Sequence, residues 1–168
     1  ITSPLIENES LLLSNLDLDF NNNNFDLNTS FKIYEDLSRN YHDRYQYILP
    51  DFSFKKNIDI PSNYNGVFDF HSHGYHKNFE TNITEAVVIN DFIYTSNNFF
   101  NSKGIVSKYN LLLKNTNNYS RNSGNFSDDK NYDLFTMLKY DLSLPLQKEL
   151  LNYKHYLKPI VSLKYSPN

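Results

Sequence analysis

The residues best suited to chemistry lie close together between Gly66 and His76. This stretch reads Gly-Val-Phe-Asp-Phe-His-Ser-His-Gly-Tyr-His and holds three of the chain's five histidines. If the stretch is a strand, its side chains alternate between two faces, so Asp69, His71 and His73 share one face. Two imidazoles spaced in this way can bind one divalent metal, and a nearby carboxylate can orient a ligand. The chemistry to consider is therefore metal binding at His71 and His73.

The pattern Asp-X-His-X-His at positions 69 to 73 resembles the one that opens the metal site of PHP-type phosphoesterases and amidohydrolases. The resemblance implies a metal-activated water as the nucleophile. Those enzymes draw further ligands from several later strands, whereas only His76 and His155 follow here. We therefore predict a protein that is not an enzyme and has no cofactor. A small metal-dependent hydrolase, with a divalent metal at His71 and His73, is kept as an alternative.

The composition indicates a folded domain encoded by an A/T-rich genome. Aromatic residues make up 16% of the 168 residues, which offsets a hydrophobic content of only 39%. Asn occurs 26 times, whereas Ala occurs once and Arg three times. Amino acids with A/T-rich codons are thus favoured over those with G/C-rich codons. This Asn-rich composition resembles that of mitochondrially encoded proteins of ciliates, and it implies a mitochondrial, intracellular location.

Two further absences narrow the class of protein. The chain has no cysteine, which excludes a disulfide scaffold and any thiolate metal site. No apolar run approaches the roughly 18 residues expected of a membrane helix, so we predict no transmembrane segment.

Charge is distributed unevenly along the chain. The net charge is −5 over residues 1–30, −1 over 31–129 and +3 over 130–168. The first 29 residues also contain the run Asn21–Asn24, which has little to bury. We predict two parts: an extended, acidic, low-complexity arm over residues 1–29 and a single domain over residues 30–168 with a basic C-terminal tail.

Two segments show the apolar spacing of amphipathic helices. In residues 30–49, apolar side chains recur every three or four positions, and Pro50 ends the pattern. In the second segment, Ser143 and Pro145 suit a helix start and Pro159 ends it. We predict a helix in each segment.

Strands are predicted between these two helices. Residues 67–73, 85–95 and 105–114 are rich in β-branched and aromatic residues, and the polar stretch 96–104 suits a hairpin loop. Residues 132–142 fit either a helix or a strand, and a strand is preferred. The predicted fold class is therefore α+β: a small, mainly antiparallel sheet flanked by two amphipathic helices, with an extended N-terminal arm.

The basic tail is the candidate interaction surface. Its lysines are interleaved with tyrosines, a pattern that suits contact with phosphate groups of RNA. The predicted contact residues are Lys148, Lys154, Lys158, Lys164 and Tyr165.

These observations predict a non-catalytic structural subunit of a large mitochondrial assembly. A mitochondrial ribosomal protein is preferred, with other protein subunits as partners and rRNA as a further candidate partner. The alternative is a soluble accessory subunit of a respiratory-chain or ATP-synthase complex, which the acidic arm suits better.

Overall fold

The chain folds into long β-strands, as seen in a computed structural model that describes residues 10–61, 64–79, 82–126, 128–151 and 153–167. Strands account for 75% of the structure. The only helical element in these ranges is one turn of 3₁₀-helix, Tyr41–Asp43. The strands are β1 (Leu11–Asn22), β2 (Phe25–Asp36), β3 (Tyr45–Ile58), β4 (Gly66–Phe79), β5 (Ile83–Ser96), β6 (Phe99–Phe100), β7 (Val106–Arg121), β8 (Lys130–Ser143), β9 (Leu146–Leu150), β10 (Tyr153–Leu157) and β11 (Ile160–Tyr165).

Nine of these strands form one sheet. Its neighbour order is β1-β2-β3-β4-β5-β7-β8-β11, and the short β6 pairs with β7. Strands β9 and β10 form a separate two-stranded sheet. The pairs whose registers are described are all antiparallel. Chain order and sheet order therefore nearly coincide, as expected when consecutive strands are joined by short turns.

The predicted α+β class is wrong, because both predicted helices are strands. Residues 30–49 complete β2, pass through the 3₁₀ turn and enter β3. The apolar residues of β2 also alternate with a period of two, and this period places them on one face together with those of β1. The spacing of three to four that suggested a helix combines residues from two different strands.

The second predicted helix is the β9–β10 hairpin. Leu146 lies opposite Leu157, and Lys154 lies opposite Glu149. The turn contains Leu151, whose φ of 46° is left-handed and incompatible with a right-handed helix. By contrast, the strands predicted over 67–73, 85–95, 105–114 and 132–142 are confirmed, although each extends further than the sequence indicated.

The predicted arm overlaps described strands. Residues 1–9 lie outside the described residues, while β1 and the start of β2 fall within the rest of the arm.

Contacts divide the chain into two compact units. Unit 1 comprises Ile1–Lys55, Ser72–Ile89 and Thr116–Asp133, and unit 2 comprises Lys56–His71, Asn90–Asn115 and Leu134–Asn168.

In unit 1, the β1–β2 hairpin separates apolar from charged residues. Register places Leu16 opposite Phe31 and Phe20 opposite Leu27 on one face. The other face pairs Asp17 with Ser30 and Asp19 with Asn28. Directly opposed residues share a face in an antiparallel pair, so from Ser14 to Asn22 the hairpin has one mainly apolar face and one polar face.

In unit 2, β8 and β11 pair with each other although β9 and β10 lie between them in the chain. This pair, here called the β8–β11 hairpin, shows the same separation. Val161 lies opposite Leu142 and Leu163 opposite Tyr140, whereas the intervening pairs are Ser162 with Asp141 and Lys164 with Lys139.

Very little of this apolar surface is covered within the chain. Val106 is the one hydrophobic side chain that is buried in the described ranges, although aromatic pairs such as Phe70 and Phe92, 4.8 Å between ring centroids, shield one another. No helix in the described part of the chain has the length and apolar character needed to cross a membrane.

A substitution at Gly74 tests the close approach of the β4 backbone to the β5 backbone. A Cβ atom there would lie 2.2 Å from the backbone oxygen of Val87, whereas one at Gly124 would meet nothing within 4 Å. We expect Gly74→Ala to lower the free energy of unfolding by about 1–3 kcal/mol, because the backbones must move apart. Gly124→Ala should change it by less than about 0.5 kcal/mol. Urea unfolding of both variants measures this, and equal stabilities would contradict the strand contact.

Candidate functional site

The two histidines singled out by sequence lie on β4. His71 is half-buried and His73 is exposed. Within the described residues, no group of three or more His, Cys, Asp or Glu side chains is placed to hold a metal ion. Metal binding at His71 and His73 stays a prediction from the sequence.

A buried carboxylate in unit 1 has a structural explanation. The side chain of Glu85 is 3% exposed, and its Oε1 accepts hydrogen bonds from Ser123 Oγ at 2.5 Å and Asn125 Nδ2 at 3.1 Å. Burial, and secondarily the charge of Glu85, raise the pKa of Tyr75. Two donors fix Glu85 to the loop after β7, and this accounts for a buried acid without a catalytic role.

Two of the predicted contact lysines lie on the β9–β10 hairpin. Lys148 lies opposite His155, and Lys154 Nζ is 3.0 Å from Glu149 Oε1. Both partners of that ion pair are largely exposed, so the pair contributes little to stability.

The remaining predicted contact residues, Lys158, Lys164 and Tyr165, lie on or beside β11. Lys158 precedes Pro159 in the connection from β10 to β11, which is fastened by a hydrogen bond from Leu144 N to Pro159 O at 3.2 Å. Tyr165 is on the apolar face of the β8–β11 hairpin, opposite Leu138. The structure therefore separates Tyr165 from Lys164, which lies on the other face.

Lys158 shares a groove with two lysines that the sequence analysis did not select. This groove, here called the lysine groove, has a volume of about 310 Å³. It is lined by Asn98, Val106, Lys108, Lys139, Asp141, Ser143, Lys158, Ile160 and Ser162. Lys164 lies directly across the strand pair from Lys139. The period of two in β8 could have indicated Lys139 and Asp141, but Lys108 comes from β7 and becomes a neighbour only through sheet pairing.

Asp141 is the acidic residue that lines the lysine groove. Its carboxylate lies 2.8 Å from Lys139 Nζ and accepts a hydrogen bond from Ser162 Oγ. The bond from Lys139, then the bond from Ser162, lower the pKa of Asp141 below its ordinary value of 3.8. The groove thus holds a fixed ion pair together with two further lysines.

The second candidate is apolar surface, which is exposed in each unit. In unit 1, Leu12, Leu16, Leu18 and Phe20 on β1 are 40–57% exposed. In unit 2, Val161, Leu163 and Tyr165 on β11 are 63–68% exposed. Exposed apolar surface is a candidate for contact with other molecules.

Comparison with known proteins assigns no family. No model of a protein family matches the sequence, and no curated protein matches it. Function must be argued from the two surfaces.

The ion pair in the lysine groove makes a pH-dependent prediction. We expect Lys139→Met to raise the pKa of Asp141 toward 3.8, because the main group that stabilises its charge is removed. A carboxyl with a lowered pKa stabilises the fold above its unfolded-state pKa, and this contribution is lost as pH falls through the folded-state pKa. In Lys139→Met this contribution should be smaller, because the folded-state pKa lies closer to the unfolded-state pKa. Carbon NMR of the Asp141 carboxyl measures the shift, and Lys154→Met, distant in the fold, should leave it unchanged.

Proposed function

We propose that the chain is a non-catalytic structural subunit of a large membrane-bound assembly. In this proposal, the apolar faces of its hairpins lie against lipid acyl chains. The observation that carries the proposal is the separation of most charged from most apolar side chains across the paired strands β1–β2 and β8–β11.

In unit 1, the apolar face of the β1–β2 hairpin has no charge from Ser14 to Asn22 or from Phe25 to Ile33, and Glu35, opposite Leu12, is the charged residue at its end. All three acids of this segment, Asp17, Asp19 and Asp26, lie on the opposite face. A surface that binds another protein normally mixes polar and charged residues around its apolar centre. A face without charge suits a hydrocarbon environment, where an ionised side chain is costly.

In unit 2, the apolar face of the β8–β11 hairpin follows the same rule. Charged residues of the paired segments, Lys139, Asp141 and Lys164, lie on the face that carries the lysine groove. The residues opposite one another on the apolar face are Leu138 with Tyr165, Tyr140 with Leu163 and Leu142 with Val161.

The length of the uncharged stretch is comparable to a lipid layer. Its pairs run from Ser14 with Ile33 to Asn22 with Phe25, eight positions on β1, which at about 3.3 Å per residue corresponds to roughly 26 Å. The hydrocarbon layer of a bilayer is about 30 Å thick.

This proposal favours a subunit of a respiratory-chain or ATP-synthase complex over the ribosomal protein, but one in contact with lipid and not the soluble subunit expected from the sequence. A mitochondrial ribosomal protein remains the second candidate, because Lys158 and Lys164 are grouped with further lysines near one groove. The mitochondrial location rests on composition alone.

A lysine introduced into the apolar face should abolish lipid binding. We expect Leu16→Lys to reduce co-flotation of the chain with phosphatidylcholine vesicles by at least about tenfold, because a charge near the centre of the uncharged stretch costs roughly 2–4 kcal/mol. Asn21→Lys is the matched control, since it adds the same charge on the polar face, opposite Asp26. It should float as the unmodified chain does.

Two outcomes would contradict the proposal. A chain that stays below the vesicles and forms a defined oligomer would assign the apolar faces to a second copy. Sedimentation of the native chain with a ribosomal subunit, lost on ribonuclease treatment, would favour the second candidate.

A further inference from the structure

We propose that the lysine groove binds a small polyvalent phosphate anion. This site is on the polar face of the β8–β11 hairpin and goes beyond the proposed structural function. Three features of the groove support the proposal: the placement of its lysines, their excess of positive charge and its size.

Three lysines from separate segments line the groove, and a fourth lies opposite one of them across the strand pair. Lys108 is on β7, Lys139 on β8 and Lys158 in the β10–β11 connection. Lys164, on β11, is directly opposite Lys139. Like charges opposed across two strands destabilise the pair unless an opposite charge lies nearby. The strand register therefore places repelling groups together at this point.

The chain supplies only part of the opposite charge. Asp141 pairs with Lys139, and the lining of the groove contains no other acid. Neither Lys108 nor Lys158 has a carboxylate within ion-pair distance in the described ranges of the chain. One carboxylate against four ammonium groups leaves an excess of positive charge, so an anion bound there would relieve repulsion as well as form new bonds.

The groove has the dimensions and donors for a compact anion. Its volume of about 310 Å³ is at the lower end for ligand sites. Ser143 and Asn98 add neutral donors around the lysines. Phosphate oxygens accept several such bonds at once, and lysine is a common partner of phosphate.

RNA is the less suitable occupant. Non-specific RNA binding uses an extended basic track with aromatic side chains on which bases stack. Here the lysines converge on one volume, and Tyr165 lies on the opposite face of the strand pair.

Calorimetric titration of the full chain with inorganic pyrophosphate tests the proposal. The double variant Lys108→Gln with Lys158→Gln should weaken binding by at least about tenfold, the effect of losing one charge-assisted hydrogen bond. The control is Lys148→Gln with Lys154→Gln, which removes the same charge from the β9–β10 hairpin. It should bind within about twofold of the unmodified chain, since it does not touch the groove.

The source of the phosphate is tested with vesicles. Tighter binding to vesicles that contain phosphatidic acid, lost in the groove double variant and competed by pyrophosphate, would identify a lipid headgroup as the ligand. Binding of pyrophosphate without any such preference would identify a free phosphate compound. Either result supports the groove as a phosphate site.

The proposal would be overturned by the absence of saturable pyrophosphate binding, or by equal loss of affinity in the two double variants. RNA oligonucleotides that bind more tightly than pyrophosphate, and that lose affinity equally in both variants, would overturn it in favour of an extended RNA surface. The calorimetric titration with pyrophosphate uses no vesicles and does not involve the apolar face. Failure of this proposal and failure of the proposed function are therefore distinguishable.

Discussion

The structure depends on one constraint, which is the period of two in its antiparallel strands. A shift of one residue in the pairing of β1 with β2 would exchange every side chain between the two faces and place Asp17 and Asp19 among leucines and phenylalanines. The segregation of charge therefore fixes the register. The same constraint brings Lys139 opposite Lys164 and Asp141 opposite Ser162 in unit 2. Both the apolar faces and the lysine groove follow from it.

Hydrophobic burial in the chain is spread over many partly covered side chains. Val106 is the one hydrophobic side chain in the described ranges that is almost fully buried, while most residues of β4, β5 and β7 are partly covered. Hydrogen bonds between long strands and pairs of half-shielded aromatic rings hold the sheet together. Exposed apolar faces of this size are unfavourable in water. Covering these faces with another molecule would remove apolar surface from water and so raise the free energy of unfolding.

The sequence predicted the central strands and failed at both ends of the chain. Residues 85–95 are rich in Val and Ile and could be assigned as a strand without knowledge of their neighbours. Residues 30–49 could not, because a turn joins two strands there and the combined spacing imitates a helix. In residues 146–157, the chain turns at Leu151 with a left-handed backbone, which leucine rarely adopts. The sequence therefore did not indicate a turn at this leucine.

The candidate site was predictable only in part. Lys158 and Lys164 were selected from the basic tail, whereas Lys108 belongs to a segment 50 residues away that becomes adjacent through the order of β7, β8 and β11. The separation of Tyr165 from Lys164 required the strand assignment as well. Sequence reasoning can find clusters that are local in the chain, but it cannot find those that depend on which strands are neighbours.

The most direct test of the central claim uses the absence of cysteine from the chain. Single cysteines introduced in turn at positions 15 to 20 of β1 can each carry a nitroxide label without any background. Collision with oxygen, which concentrates in lipid, is then compared with collision with a polar nickel complex dissolved in water. The account predicts that, in the presence of lipid vesicles, the ratio of the oxygen collision rate to the nickel collision rate alternates with a period of two along β1. Positions 16, 18 and 20 should have the high ratios. A uniform ratio, or the same values with and without vesicles, would contradict it.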